Sequence, residues 1–218
     1  SQDNAQKIEN KLIATNFSYS PTQALDVSGF FIYNSSRIDS RETSLVRYTD
    51  AELGIPDEAI EQTGKENSNQ GLVKMSAKYT PDLKNQIDYD ILGRFSDDSQ
   101  RQNSFSSVVG NIDQVEEVTP FSINQNINYY FTLNETNIFA FEAQHLIKDE
   151  DPFYNAILED KANYSGTANN LGLNGSQIDY NVGQQKRVQS NQVDAKLDYW
   201  NILNKKSNIN VTLGTIVS

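Results

Sequence analysis

The chain has 218 residues, a formal net charge of −11 and no cysteine. The acidic balance argues against a nucleic-acid partner, because phosphate contacts need lysine and arginine. The missing cysteines exclude a disulfide framework, a cysteine-based zinc site and a cysteine nucleophile. Aromatic residues make up 10% of the chain although its mean hydropathy is −0.62. Tyrosine, phenylalanine and short polar side chains favour strands and turns over helices.

Hydrophobic side chains alternate with polar ones over much of the chain, which is the pattern of strands with one apolar face. Short turn signals interrupt this alternation four times, and each lies between two alternating segments. The sequence therefore predicts an all-β chain, an antiparallel meander of about eight strands. The four predicted hairpins span about residues 10–33, 72–95, 121–145 and 191–218.

Polar and partly acidic segments separate the hairpins. The sequence predicts long loops there, longer than the connections usual in a compact domain. Short turns then lie at one end of the sheet and long loops at the other. Two stretches inside the loops, residues 49–64 and 153–161, have the capping or apolar content of short helices. The three predicted loops are residues 34–71, 96–120 and 146–190.

Strands of this kind fit two classes of fold. In a soluble sandwich or barrel the apolar face lines the core, whereas in an outer-membrane barrel it faces lipid and the polar face lines the lumen. The alternation of short turns with long loops, and the aromatic residues near the strand ends, favour part of a transmembrane β-barrel. The alternative is a soluble all-β module, secreted or displayed on a bacterial surface, that binds carbohydrate or protein.

Three segments resemble barrel hairpins of TonB-dependent receptors, most of all the Asn- and Tyr-rich Bacteroidetes type. They are residues 71–81 (GLVKMSAKYTP), 119–129 (TPFSINQNINY) and 196–206 (KLDYWNILNKK). The resemblance implies a barrel of about 22 strands with a plugged lumen, which imports a small nutrient across the bacterial outer membrane. It implies membrane lipid, a plug domain and TonB as partners. About eight strands are too few for such a barrel, so the chain is expected to be a portion of its wall.

Charged residues that recur at every second position must share one face of a strand. In the membrane interpretation this face lines the lumen and the opposite face contacts lipid; in the soluble interpretation the two faces meet solvent and a shared interior. The predicted lumen-facing residues are Asp88, Asp90, Asp194, Lys196 and Asp198. The predicted lipid-facing residues are Phe17, Phe31, Ile123, Phe141, Leu197 and Leu213.

Candidate ligand contacts lie in and beside the longest predicted loop. The rings of Phe153, Tyr154 and Tyr164 are suited to stacking on a ligand or to packing the loop, and His145 is either a ligand contact or a polar residue at a strand end. One histidine and no G-x-S-x-G elbow argue against an enzyme. The acidic pairs and triplets lack the spacing of a calcium loop. The sequence thus predicts no catalytic residue, metal or cofactor.

Overall fold

In a computed structural model the protein is one antiparallel β-sheet, which confirms the predicted all-β class. The structure describes residues 5–47, 57–108, 110–159, 166, 169–172, 174–175 and 179–218. The described strands are β1 (Ala5–Thr22), β2 (Leu25–Val46), β3 (Glu58–Tyr79), β4 (Asn85–Ser106), β5 (Gly110–Val118), β6 (Phe121–Asn134), β7 (Asn137–Glu150), β8 (Phe153–Leu158), β9 (Tyr180–Gln185), β10 (Val188–Asn204) and β11 (Ser207–Val217).

These eleven strands trace eight continuous paths across the sheet. β5 and β6 pair with β4 in one unbroken register, with Val118 opposite Asp98 and Phe121 opposite Phe95. In the same way β7 and β8 form one path, and β9 and β10 form the next. The eight paths run up and down in chain order. β1 and β11 are the two edges of the sheet, which is not closed.

The three interruptions lie side by side on one line across the sheet, which we call the seam. Thr119 is level with Asp151, whose carboxylate accepts hydrogen bonds from the Thr119 backbone N (3.0 Å) and Oγ1 (2.5 Å). The backbone N of Lys186 donates to the carbonyl of Pro152 (3.1 Å). Pro120 and Pro152 have no N–H to give to the ladder, so regular pairing stops at both. The interruptions are at residues 119–120, 151–152 and 186–187.

The predicted long loops are wrong over most of their length. Residues 34–46 and 58–71 continue β2 and β3, and residues 96–106 and 110–118 belong to β4 and β5. These segments are polar on both faces, yet their backbone groups are paired with a neighbouring strand, as an extended polar chain requires. The connections at this end shrink to residues 47–57, 107–109 and 159–179, whereas the turns at the other end remain short.

The two predicted short helices are also wrong where the structure describes them. Residues 58–64 of the first lie in β3, and residues 153–158 of the second form β8. Residues 48–56 and 160–161 lie outside the described residues. Both segments find antiparallel partners at full register, and this ladder outweighs a weak local preference for helix.

The sheet is a single layer without a packed core. Of the described apolar residues, Ala140, Ala156 and Tyr180 are buried. The accessible surface is 15105 Å² for a chain of 24.6 kDa, whereas a compact monomer of this mass exposes about 10,000 Å². In the described part of the chain, both faces of the sheet are therefore open.

Candidate functional site

The register of the sheet separates the side chains by residue number. Apart from Ala5 and the residues that flank three tight turns, every pairing sets an odd-numbered residue opposite an odd-numbered one or an even-numbered residue opposite an even-numbered one. Successive side chains along a strand point to opposite faces. All odd-numbered side chains in register therefore share one face, the odd face, and the even-numbered ones share the even face.

The odd face carries a band of uncharged side chains that crosses all eight paths, which we call the apolar belt. It contains no Asp, Glu, Lys or Arg. On β6 it extends from Phe121 to Leu133, which is roughly 40 Å along the strand and about 30 Å across a membrane at a strand tilt near 40°. The belt consists of the odd-numbered residues of 13–19, 25–33, 71–79, 87–95, 121–133, 139–147, 193–203 and 209–217.

Aromatic rings form a row along the margin of the belt near the short turns. The ring centroids of Phe139 and Tyr199 are 4.8 Å apart, those of Phe131 and Phe139 are 6.4 Å apart, and those of Tyr129 and Phe131 are 6.5 Å apart. Tyr199 also donates a hydrogen bond to Asn137 (2.5 Å) at the strand end. An apolar ring with a polar tip suits a membrane interface, where aromatic girdles lie in outer-membrane barrels.

At the opposite margin of the belt an aromatic ring packs against the backbone of a glycine. The ring of Phe95 lies over Gly71, in the space that a Cβ atom at residue 71 would fill. A side chain at this position would displace the ring, so the packing of Phe95 depends on glycine at residue 71.

The six predicted lipid-facing residues all lie in the apolar belt, and no described element covers them. Four are well exposed: Phe17 by 50%, Phe141 by 39%, Leu197 by 45% and Leu213 by 67%. The other two, Phe31 and Ile123, are half-buried by neighbours in the same sheet. Instead of meeting around a shared interior, the six residues form one outward surface.

The even face carries every Asp, Glu, Lys and Arg that lies within the belt segments. Several of these charges contact a side chain of the neighbouring strand. Asp90 accepts a hydrogen bond from Ser76 Oγ (2.5 Å) and lies 3.2 Å from Lys74 Nζ, and Lys196 Nζ lies 3.0 Å from a carboxylate oxygen of Glu142. The full set is Asp26, Lys74, Lys78, Asp88, Asp90, Arg94, Glu142, Asp194, Lys196 and Asp198.

Asp198 is the most enclosed of these charges, with 4% of its surface exposed. The hydroxyl of Thr212, directly opposite on β11, donates a hydrogen bond to its Oδ1. Lys196 Nζ lies 3.6 Å from its Oδ2 while it also pairs with Glu142. The buried carboxylate is thus paired and hydrogen-bonded, as a buried charge requires.

The five predicted lumen-facing residues lie together on the even face but in two groups. Asp88 and Asp90 are on β4, whereas Asp194, Lys196 and Asp198 are on β10. β6 and β7 separate the groups, which places them about 14 Å apart at the usual strand spacing. The strands between them contribute Asn126, Asn128, Glu142 and Gln144 to the same face, so the polar surface is continuous.

Cavities of about 620, 700 and 540 Å³ open on the even face, and even-numbered side chains from neighbouring strands form most of their lining. The 700 Å³ cavity is bordered by Asn128, Glu142 and Lys196. The 620 Å³ cavity lies beyond the belt, where Glu66 and Tyr154 line it. These cavities therefore lie on the face of the sheet that carries the charged side chains of the belt segments.

The structure does not bring the four predicted ligand contacts into one site. Tyr154 lies on the even face, where its hydroxyl accepts a hydrogen bond from Gln114 Nε2 (3.2 Å). Phe153 is its neighbour on β8 and lies on the odd face. His145 is also on the odd face, with Nε2 2.8 Å from Asn191 Oδ1. Tyr164 lies outside the described residues. Phe153 and Tyr154 are consecutive residues of one strand, so their side chains must lie on opposite faces. Sequence reasoning missed this signal.

Beyond the belt, on the side away from the short turns, both faces of the sheet carry charged side chains, and we call this region the upper part. Its clearest ion pair joins Asp149 and Arg187, whose guanidinium donates two hydrogen bonds of 3.0 and 2.7 Å. These bonds, with a third from Gln189, lower the pKa of Asp149 to about 2. The same carboxylate raises the pKa of Arg187. Because this charged pair lies on the odd face, the apolar belt on β7 ends before residue 149.

No protein-family model matches the chain, and a search of curated proteins finds no significantly similar sequence. Within the described residues, no helix is long and apolar enough to cross a membrane. The same residues contain no group of three or more acidic or histidine side chains placed to hold a metal ion. Function therefore has to be inferred from the two faces of the sheet.

Proposed function

We propose that the chain forms part of the wall of an outer-membrane β-barrel, in a nutrient transporter of the TonB-dependent receptor class. The observation that carries this proposal is the separation of charge: within the belt segments every charged side chain lies on the even face. An Arg or Lys at the middle of the lipid face costs about 2–4 kcal/mol. A membrane thus gives a physical reason for an odd face without charges.

A soluble sheet would show the same separation, but it would cover its apolar face with a second layer. Here the accessible surface of 15105 Å² exceeds that of a compact chain. Leu213 and Ile13, both in the belt, remain 67% and 62% exposed. Hydrocarbon chains of lipid would cover this surface without a second layer, which favours the barrel wall over a soluble binding module.

The orientation follows from the lengths of the connections. Short turns join β1 to β2, β3 to β4, β6 to β7 and β10 to β11. In outer-membrane barrels short turns face the periplasm and longer segments face the outside. We therefore place the turns in the periplasm and the upper part outside the cell.

The even face would then line the lumen, where a nutrient and a plug domain meet it. Eight paths form an open sheet, so further strands must pair with the edges β1 and β11 before the wall can enclose a channel. The choice of the TonB-dependent class rests on the resemblance of residues 71–81, 119–129 and 196–206 to barrel hairpins of that family. TonB and the plug would be partners of the complete receptor.

The test uses single thiols, because the chain has no cysteine. Ile127→Cys and Asn128→Cys are neighbours on β6 that lie on opposite faces, and Val211→Cys and Asn210→Cys form a second pair on β11. Each variant of the full chain is labelled with an environment-sensitive fluorophore and reconstituted in phosphatidylcholine vesicles. Quenching is then compared between lipid-attached and water-soluble quenchers.

We expect the lipid-attached quencher to quench the fluorophores at residues 127 and 211, and the water-soluble quencher to quench those at residues 128 and 210. Equal access of the water-soluble quencher to all four would contradict the proposal. A stable, β-rich monomer in buffer that does not bind vesicles would favour the soluble binding module instead.

A further inference from the structure

One row of side chains on the even face holds two cations with a hydroxyl between them. The row crosses seven of the eight paths close to the seam, one residue from Gly71 and Phe95 at the margin of the belt. Arg94 on β4 and Lys148 on β7 both lie opposite Ser122 on β6. The row contains no acid. Its members are Ala14, Ile32, Leu72, Arg94, Ser122, Lys148 and Ser190.

The two cations are available to a ligand. Both Arg94 and Lys148 are exposed, and neither has an ion pair or a hydrogen bond with another described residue. By contrast, Lys74 and Lys196 on the same face each lie within 3.2 Å of a carboxylate oxygen. Two strand spacings, about 10 Å, separate the backbones at residues 94 and 148. Their long side chains can therefore reach one anionic group above β6.

Both cations line the cavity of about 540 Å³, which has a basic side and an apolar side. Ser122 lies beneath the basic side, and the half-buried Ile32 and Leu72 form the apolar side on β2 and β3. Glu150 also borders the cavity, but its carboxylate has no ion pair with either cation, so two positive charges and one negative charge leave the lining with a net charge of +1. Apolar lining with a few placed polar groups is typical of small-molecule sites.

We propose that this cavity binds a small organic anion, with its carboxylate or phosphate group between Arg94 and Lys148 and its apolar part against Ile32 and Leu72. A guanidinium donates two parallel hydrogen bonds to either group, and the ammonium and the Ser122 hydroxyl each donate another. The inference rests on the proposed function, in which the even face lines the lumen. It names the chemical class of nutrient that this part of the wall recognises.

The test measures the binding of four probes by equilibrium dialysis to the full chain in phosphatidylcholine vesicles. Benzoate and phenyl phosphate carry an anionic group and an apolar ring. Benzyl alcohol has the ring without the charge, and inorganic phosphate has the charge without the ring. Binding to vesicles without protein is subtracted.

Two variants and one control separate the basic side of the cavity from its apolar side. Arg94→Gln/Lys148→Gln removes both cations. The control Lys205→Gln/Lys206→Gln makes the same charge change in the turn between β10 and β11, far from the cavity. Leu72→Ser keeps the cations and removes apolar surface.

We expect the unaltered chain to bind at least one of the two organic acids more tightly than benzyl alcohol or inorganic phosphate, and the tighter acid identifies the anionic group. The Arg94/Lys148 variant should bind that acid about 100-fold more weakly, since each charge-assisted contact contributes about tenfold. The control should bind like the unaltered chain. Leu72→Ser should weaken the binding of the acid about fivefold and leave that of inorganic phosphate unchanged.

Equal binding of the acid by the Arg94/Lys148 variant and the control would overturn the assignment. Inorganic phosphate that binds as tightly as phenyl phosphate would do the same, because the apolar side would then contribute nothing. Insertion is measured separately with the fluorophore at residue 127. If the chain inserts but binds neither organic acid, the anion site is wrong while the barrel wall stands. If the chain does not insert, the proposed function fails and this inference fails with it.

Discussion

The belt and the upper part of the sheet use the same backbone ladder with different side-chain patterns. In the belt, uncharged residues alternate with polar ones, so the two faces differ completely. In the upper part, opposite faces both carry polar side chains: the odd face has Lys65 and Arg101, and the even face has Glu66 and Gln100. Paired backbone groups therefore extend the strands well beyond the segments that have one apolar face, so strand length does not depend on the alternation of side chains.

The strongest way to break this comparison is to place a charge on the odd face of the belt. We expect Ile127→Arg to lower the free energy of unfolding in vesicles by about 2–4 kcal/mol, because the guanidinium would lie in hydrocarbon. Urea titration followed by tryptophan fluorescence measures the change.

Two matched controls sharpen that result. Asn128→Arg puts the same side chain on the even face, level with Asp88 and Glu142, and Thr43→Arg puts it on the odd face of the upper part. Both should change the free energy of unfolding by less than about 1 kcal/mol. A loss at residue 43 or 128 as large as that at residue 127 would show that lipid does not distinguish the two regions.

A second prediction concerns the buried carboxylate within the belt segments. Asp198→Ala removes the acceptor of the Thr212 hydroxyl and one partner of Lys196. We expect a loss of about 1.5–3 kcal/mol in the free energy of unfolding, because the substitution removes a hydrogen bond to a charged and buried acceptor. The measurement is the same urea titration.

The control for this loss is Asp194→Ala, on the same strand and face. Asp194 is half-buried and accepts hydrogen bonds from the flexible Gln192, so its removal should change the free energy of unfolding by less than about 0.5 kcal/mol. Equal losses for residues 194 and 198 would mean that the contacts of Asp198 with Thr212 and Lys196 contribute nothing to the free energy of unfolding.

The smallest expected effect concerns the upper part and is a change in titration. The hydrogen bonds from Arg187 keep the pKa of Asp149 near 2, below the ordinary value of 3.8. Because the folded pKa is the lower one, the pair stabilises the fold above pH 3.8, and this contribution is lost as the pH falls towards 2. Arg187→Gln should raise the midpoint of Asp149 towards 3.8 in a carboxyl NMR titration.

Asp151 is the internal control in that titration. Its pKa is lowered mainly by the hydrogen bonds from Thr119, and Arg187 acts on it only through its charge, so Arg187→Gln should shift its midpoint less than that of Asp149. An unchanged Asp149, or equal shifts at both residues, would contradict a specific pair between Asp149 and Arg187.

Sequence reasoning succeeded where one face of a strand is apolar. The alternation of Val193, Leu197 and Tyr199 with Asp194 and Lys196 predicts both a strand and the partition of its residues between faces. It failed in the upper part, where segments such as 34–46 and 96–106 lack that alternation and so resemble loops. Their strand structure depends on backbone pairing with neighbours distant in sequence, which a single-strand pattern does not encode.

Sequence reasoning also predicted only part of the candidate site, namely which charged residues share a face. The charges on β4 and β10 share a face because residue number alone decides it. The paired contacts could not be predicted, since Lys196 meets Glu142 only through the register of β7 and β10. Likewise, the predicted cluster of Phe153 with Tyr154 ignored that consecutive residues of a strand point in opposite directions.

The parity of the register also restricts how the gene can change. A deletion of one codon within a belt strand, for example at Gly93, would exchange the faces of every later residue of that strand, and so put Arg94 on the odd face, until a bulge restored the phase. Removal of two codons would shorten the strand but keep its faces. Insertions and deletions among homologous genes should therefore fall in the connections at residues 47–57, 107–109 and 159–179, or come within strands as even numbers of codons.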